Sequence, residues 1–164
     1  IFLNVGRVAV EKNLEAFLAL DLPGSKVVVG DGPQLAELKR RYPDVHFLGA
    51  KTGEDLAAAY ADADVFVFPS LTDTFGNVIV EALASGLPVA AFPVMGPIDI
   101  VGGTTAGALS NDLHQACLGA LTLSRADAID LAHRFDWRVS ARQFLTNIEE
   151  AQIRRRALQA ARSA

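Results

Sequence analysis

Two acidic residues eight positions apart, Asp73 and Glu81, flank the start of a predicted helix in the middle of the chain. The first amides of a helix have no intrahelical partner and carry the positive end of its dipole, and Gly76 would let an anion approach the backbone closely. Glu81 lies roughly 6–8 Å along the helix axis. A diphosphate at the helix start would therefore place an attached ribose near Glu81, and Asp73 could face the group on the other side of the phosphates.

A second interpretation of the same two residues needs no ligand. Asp73 would only cap the helix, and Glu81 would be a solvated surface residue. Spacing alone leaves both interpretations open.

Two cations near the start of the chain could bind the same anion. The apolar run of residues 1–5 predicts a strand that ends at Gly6 and Arg7, and Lys12 opens the next predicted helix. Ligands of parallel sheets collect where strands end and helices begin. Arginine would contact a phosphate as a planar fork and lysine as a point charge. Two solvated surface cations are the alternative.

The elements that must position these residues alternate along the chain. Strands are predicted at 1–5, 25–30, 44–49, 65–68, 87–92 and 106–109. Helices are predicted at 12–20, 34–42, 54–61, 77–85, 112–123, 125–135 and 139–161, with a short helical turn from residue 97. Regular alternation implies a parallel sheet with right-handed crossovers. The fold class is therefore α/β, a three-layer Rossmann-like domain with about six parallel strands.

Composition limits the possible functions. With 164 residues, of which 51% are hydrophobic, the chain is one ordinary domain and not disordered. No apolar run approaches the roughly 20 residues of a membrane span. The net charge of -4 argues against broad nucleic-acid binding, so we expect no nucleic-acid partner. The single Cys117 excludes an internal disulfide and is interpreted as a buried filler.

Five short motifs follow one another along the chain: GR at 6–7, EKN at 11–13, GDGP at 30–33, PS at 69–70 and DTFGNVIVEALASGLPV at 73–89. Taken in this order, they resemble the carboxyl-terminal domain of retaining glycosyltransferases of the GT-B fold, family four (group one). The likeness spans nearly the whole chain, and the combination is more specific than any single motif. The last segment is similar to the family's E-x7-E motif, with Asp73 in the first acidic place and Glu81 in the second.

The resemblance implies a binding site for a nucleotide-sugar donor. Arg7 and Lys12 would hold the diphosphate and neutralise it as it leaves, which is electrostatic stabilisation of developing charge. Asp73 would contact hydroxyls of the transferred sugar. Glu81 would bind the ribose, and backbone at 48–51 would contact the base. The implied donor-binding residues are Gly6, Leu48, Lys51, Thr74, Phe75, Gly76, Asn77, Val78 and Glu81.

The resemblance also implies chemistry without a cofactor or a metal, because cations and amides serve the diphosphate. The pair Asp62 and Asp64 looks like a metal-binding signature of some sugar-transferring enzymes, but it precedes the strand at 65–68, away from the ligand edge. The glycine-rich turn at 30–33 is interpreted as structural, since Pro33 removes an amide. Asp73 replaces the family's usual glutamate and leaves the donor open between UDP- and GDP-sugars.

The expected function is transfer of a hexosyl group to a glycan or glycolipid acceptor. The chain opens directly on a strand pattern without a signal peptide, so we expect a fragment whose amino-terminal, acceptor-binding domain is absent. The terminal helix, 138–164, is expected to pack on that missing domain, and the isolated chain is expected to be inactive. The resemblance implies a cytoplasmic enzyme and leaves open peripheral association with the inner face of the membrane.

Two alternatives remain at this point. A non-catalytic nucleotide-binding module would keep the fold without the reaction. Sugar-nucleotide epimerisation shares the GT-B architecture but would need its own acid and base residues, and no histidine lies near the predicted ligand edge.

Overall fold

A computed structural model describes residues 1–73 and 75–162, with side chains through residue 155. In this part of the chain the strands are β1 (Phe2–Val5), β2 (Lys26–Val29), β3 (His46–Gly49), β4 (Val65–Phe68), β5 (Val89–Ala91) and β6 (Gly107–Leu109). The helices are α1 (Leu14–Leu18), α2 (Leu35–Arg41), α3 (Gly53–Ala61), α4 (Asn77–Ala84), α5 (Pro97–Val101), α6 (Leu113–Ala120), α7 (Arg125–Ala132) and α8 (Trp137–Arg162). Two short 3-10 helices occupy Val10–Lys12 and His133–Phe135.

The predicted alternation of strands and helices is confirmed, but two of the predicted helices include a 3-10 segment. The helix predicted at 125–135 is α7 followed by the 3-10 helix His133–Phe135. The helix predicted at 12–20 is a 3-10 turn followed by the short α1, because Asn13 between them adopts a left-handed conformation with φ of 51°. Asparagine tolerates this conformation better than most residues with a side chain.

All six strands of the described chain run parallel in the order β3-β2-β1-β4-β5-β6. The order therefore reverses between β1 and β4. In such sheets the crevice beyond the carboxyl ends of the two central strands is the usual ligand site. The paired segment of these two strands is short. In the described residues β1 pairs with β4 only at Phe2 with Val65 and at Leu3 with Phe66.

Every residue of β1 and of β4 is buried, so both faces of the sheet are covered. This explains the continuous apolar runs of the two central strands, which are typical of parallel sheets covered on both faces. The predicted Rossmann-like α/β class is confirmed. Cys117 lies fully buried in the core, and burial, followed by the charge of Asp112, raises the pKa of its thiol to about 12. It is the inert filler that the sequence predicts.

The chain divides into two units, residues 1–132 and residues 133–164. The sheet and all predicted site residues belong to the first unit. The second contains the 26-residue α8, which begins one residue before the terminal segment that the sequence delimits at 138. The expected packing of that segment on another domain stays a prediction. In the described part of the chain, no helix has the length and apolarity that a bilayer crossing requires.

Candidate functional site

A cavity of about 300 Å³ opens where β1 and β4 part at the carboxyl edge of the sheet. It is lined by Asn4, Val5, Gly6, Arg7, Lys12, Phe68, Ser70 and Val78. Four of these residues were predicted for the donor site: Gly6, Arg7, Lys12 and Val78. The structure thus brings together residues from the end of β1, the following loop and the start of α4, while their roles stay predictions.

Where the crevice begins, a side-chain hydrogen bond takes the place of the backbone hydrogen bonds between β1 and β4. Asn4 is 5% exposed, and its amide nitrogen donates to the carbonyl oxygen of Val67 at 3.0 Å. The bond falls just past Leu3, the last residue of β1 that pairs with β4. A buried carbonyl needs a partner, so Asn4 satisfies the backbone of β4 while the two strands separate. Nothing in the sequence pattern singles out Asn4, which lies among the apolar residues of the first strand.

Asn13 makes a second bridge across the same crevice. Its amide nitrogen donates to the carbonyl oxygen of Pro69 at 3.0 Å, directly after β4 ends. The left-handed backbone of Asn13 ends the 3-10 helix and starts α1, so the bridge also fixes the turn that carries Lys12.

Lys12 and Asp73 form the closest contact among the residues predicted for catalysis. The Lys12 ammonium lies 2.7 Å and 2.8 Å from the two carboxylate oxygens of Asp73. Their side chains are 27% and 24% exposed, so the pair is largely buried. Charged partners at this distance make strong hydrogen bonds. The interpretation of Asp73 as only a helix cap is wrong, because Gly76 occupies the N-cap position of α4.

The start of α4 faces the cavity without a capping side chain. Gly76 has φ of 82°, which strains any residue with a side chain, and a β-carbon there would lie 3.1 Å from the Ile79 side chain, which would have to shift. The first helical residues, Asn77 and Val78, are uncharged, and Val78 lines the cavity. The positive end of the α4 dipole is therefore directed at this region.

Two residues predicted for the donor site, Thr74 and Phe75, precede Gly76 in the sequence. Phe75 is 43% exposed. Thr74 lies outside the described residues, and its predicted role stays untested.

Glu81 lies three residues after Val78, so both side chains share one face of α4. The carboxylate of Glu81 accepts a hydrogen bond from the Tyr60 hydroxyl at 2.9 Å. Burial of Tyr60, together with the negative charge of Glu81 and this bond, raises the pKa of the tyrosine, so the hydroxyl remains a donor. Nothing in the sequence pattern singles out Tyr60, because a tyrosine late in a helix is usually a core residue.

Arg7 is the most accessible cation at the cavity. Its side chain is 66% exposed and its guanidinium lies 3.4 Å from a carboxylate oxygen of Glu11, a long contact between exposed groups. Exposed pairs of this kind contribute about 0–1 kcal/mol, so a stronger anionic partner would displace Glu11 at little cost.

The two residues predicted for the base do not join this cavity. Leu48, in the edge strand β3, is 47% exposed and borders a separate shallow groove with His46 and Lys39. Lys51 lies 3.8 Å from Asp55 at the start of α3. Leu48 lies near the end of β3 and Lys51 just after it, at the same carboxyl edge of the sheet and two strands away from β1.

The glycine-rich turn after β2 lies against the loop that carries Arg7. Val8 donates to the Asp31 carbonyl at 2.9 Å, and the Val8 carbonyl accepts from Gln34 at 3.1 Å. A β-carbon added at Gly32 would lie 2.3 Å from the Val8 carbonyl oxygen, and one at Gly30 would lie 1.8 Å from the carbonyl oxygen of Gly6. The turn is structural, as predicted, and it fixes the backbone on which the cations are placed.

The acidic pair Asp62 and Asp64 lies between α3 and β4, at the amino end of that strand as predicted. Asp64 pairs with the amino group of Ile1. Within residues 1–73 and 75–162, no three His, Cys, Asp or Glu side chains lie close enough to hold a metal ion.

Replacing Gly32 by alanine is expected to displace the Arg7 loop, because the new β-carbon meets backbone that cannot rotate away. We predict that Gly32→Ala weakens binding of inorganic pyrophosphate roughly tenfold, about 1.4 kcal/mol, and lowers the melting temperature. The matched control is Gly24→Ala, where the added carbon would meet the Phe2 ring at an ordinary 3.5 Å. Calorimetry that gives equal pyrophosphate affinities for the two variants would show that the turn does not position the site.

Comparison with known proteins places these features in context. A family model described as glycosyl transferases group 1 matches residues 1–123. The chain is 46% identical over 99 residues to a GDP-mannose-dependent alpha-mannosyltransferase of Mycobacterium tuberculosis (strain CDC 1551 / Oshkosh), over 59% of this chain and 26% of that protein. It is 40% identical over 106 residues to the sulfoquinovosyl transferase SQD2 of Arabidopsis thaliana, over 62% of this chain and 21% of that protein.

Solved structures show the same fold at lower sequence identity. Anabaena Alr3699/HepE in complex with UDP-glucose aligns with a TM-score of 0.71 and 23% identity, over 91% of this chain and 48% of that one. AviGT4, a glycosyltransferase involved in Avilamycin A biosynthesis, aligns with a TM-score of 0.74 and 22% identity, over 89% and 49%. The chain thus spans about a quarter of the length of these two curated relatives and about half of the solved chains.

Proposed function

The chain belongs to the glycosyl transferases group 1 family, and we propose that it is the donor-binding domain of an enzyme that transfers a hexosyl group from a UDP- or GDP-sugar to a glycan or glycolipid. The predicted resemblance to the carboxyl-terminal domain of family-four GT-B glycosyltransferases is confirmed. The observation that carries the proposal is the Lys12–Asp73 pair at the cavity beside the start of α4.

The cavity combines what a sugar diphosphate requires. Lys12 and Arg7 supply positive charge at its wall, and the amino end of α4 adds its dipole. When the bond between sugar and diphosphate breaks, negative charge grows on the departing phosphate. Cations already fixed beside that oxygen stabilise the transition state more than the ground state.

In the proposed complex, Asp73 contacts the transferred sugar. Both of its oxygens accept hydrogen bonds from Lys12 in the structure. A bound diphosphate would draw the ammonium towards its own oxygens, and the released carboxylate would accept hydrogen bonds from sugar hydroxyls. The donor would therefore exchange one set of charged hydrogen bonds for two, one at the phosphate and one at the sugar.

The nucleoside would extend along α4. Glu81 shares a face with Val78 and presents a carboxylate that suits the two hydroxyls of a ribose. The base would lie towards the loop at 48–51, where recognition would depend mostly on backbone groups. We propose that transfer needs no metal, since Arg7 and Lys12 provide the charge, and that it retains anomeric configuration as in the resembling family.

The names of similar proteins leave both UDP and GDP as candidates for the nucleotide of the donor. The mycobacterial relative is GDP-mannose-dependent, and HepE was solved with UDP-glucose. We propose that acceptor binding requires a further, amino-terminal domain, and that the whole enzyme works in the cytoplasm, associated peripherally with the membrane when its acceptor is a lipid.

Calorimetry with UDP, GDP, UDP-glucose and GDP-mannose tests the proposed function. We expect at least one nucleotide to bind and Arg7→Ala to weaken it about 10- to 100-fold, the effect of losing a charged hydrogen bond of about 1.5–3 kcal/mol. Arg40→Ala is the matched control, because Arg40 is exposed on α2. Equal affinities for all three proteins would contradict the proposed location of the binding site.

The isolated chain should transfer no sugar, and measurable turnover would contradict the need for another domain.

Asp73→Asn separates the two roles given to this residue. A neutral amide holds the Lys12 ammonium less strongly, so the free nucleoside diphosphate should bind several-fold more tightly. The sugar nucleotide should lose its additional affinity, because the amide replaces the acceptor of the sugar hydroxyls. Lys12→Met, as the companion variant, should weaken both ligands. If Asp73→Asn weakened the nucleoside diphosphate as much as the sugar nucleotide, the exchange of partners at Lys12 would be wrong.

A further inference from the structure

Tyr60 reaches the predicted ribose-binding carboxylate from a neighbouring helix. It is 3% exposed in α3, and its hydroxyl donates to one oxygen of Glu81 at 2.9 Å. Glu81 itself is exposed on α4. An exposed glutamate ordinarily samples several rotamers, and a hydrogen bond from a buried donor restricts that freedom.

The ring of Tyr60 is held by an aromatic row that ends at the cavity. Its centroid lies 6.0 Å from that of Phe66 in β4, with the rings tilted by 46°. Phe66 lies 6.5 Å from Phe68, which lines the cavity. Such tilted pairs are favourable aromatic contacts. The ring of Tyr60 therefore packs against β4, the strand that contributes Phe68 to the cavity wall, and this packing holds the hydroxyl in place.

The contact uses one oxygen of Glu81 and leaves the other available. A carboxylate has about four acceptor positions, so a bound tyrosine does not prevent binding of further hydroxyls. A tyrosine hydroxyl is protonated at neutral pH, so the donor in this bond is always present there. A carboxylate that is held in one orientation is well suited to accept hydrogen bonds from two neighbouring hydroxyls.

We propose that Tyr60 is a positioning residue that holds Glu81 in the orientation needed to bind the two ribose hydroxyls, and so sets the preference for ribonucleotide over 2′-deoxyribonucleotide donors. The inference rests on the proposed nucleotide-sugar site. It adds to that site a residue that does not touch the sugar or the diphosphate and acts only through Glu81.

Tyr60→Phe removes the hydroxyl and retains the buried ring. Glu81 is exposed, so water can replace the lost donor and the fold should be preserved. Tyr42→Phe is the matched control, since Tyr42 is the other tyrosine of the chain and its ring contacts the Arg41 guanidinium. Thermal unfolding of the variants checks that each one is folded before binding is compared.

The experiment measures calorimetric affinities of UDP, GDP, their 2′-deoxy counterparts and inorganic pyrophosphate. We expect the parent to prefer the ribonucleotide about tenfold, as one hydrogen bond to a charged group allows. Tyr60→Phe should reduce this preference about three- to tenfold and leave pyrophosphate binding unchanged. Glu81→Ala should abolish the preference, and the double variant should lose nothing more, since the two residues act as one unit.

Three results would overturn the inference. If Tyr60→Phe kept the parent's preference while Glu81→Ala lost it, Tyr60 would have no positioning role and the proposed function would stand. If Tyr60→Phe weakened pyrophosphate as much as the nucleotides, its effect would be structural. If Glu81→Ala also preferred ribonucleotides as the parent does, another residue would bind the ribose hydroxyls, and the inference would fail while the proposed donor binding would stand.

Discussion

The early separation of β1 from β4 is the constraint on which the site depends. The two strands pair at only two positions in the described chain, at the point where the order of the sheet reverses. Continued pairing would close the sheet and leave no cavity. The separation costs little because Asn4 supplies the Val67 carbonyl with a hydrogen bond that the ladder no longer provides. The position of the cavity therefore follows from the topology of the sheet. One buried asparagine satisfies the carbonyl that the separated strands leave without a ladder partner.

Side chains from the first segment cross this opening at three levels. Asn4 contacts the end of β4, Asn13 contacts Pro69, and Lys12 contacts Asp73 farther along the loop. The first two bonds join neutral groups and hold the loop in place. The third joins charges that a bound anion can compete for. Two neutral hydrogen bonds thus hold the loop in place, while the Lys12–Asp73 pair can exchange its partners. This combination suits a site that must bind and release a charged donor.

Much of this architecture could be predicted from the sequence. The apolar runs identify the central strands β1 and β4, because the sheet is covered on both faces there, and the motif order identifies the ligand edge. The break at Asn13 was missed, since local propensity favours one continuous helix through Leu20. The Lys12–Asp73 contact joins residues 61 positions apart, and Tyr60 reaches Glu81 from another helix. Such contacts depend on how elements pack, which no local pattern encodes.

The central claim is that a nucleoside diphosphate binds where β1 and β4 part. Amide chemical shifts of the ¹⁵N-labelled chain, titrated with UDP and with GDP, test it most directly. We predict that the largest shifts occur at Gly6, Arg7 and Val78, with smaller shifts at Glu81. Shifts confined to the groove beside β3, around Lys39 and His46, or no saturable shifts with either nucleotide, would contradict it.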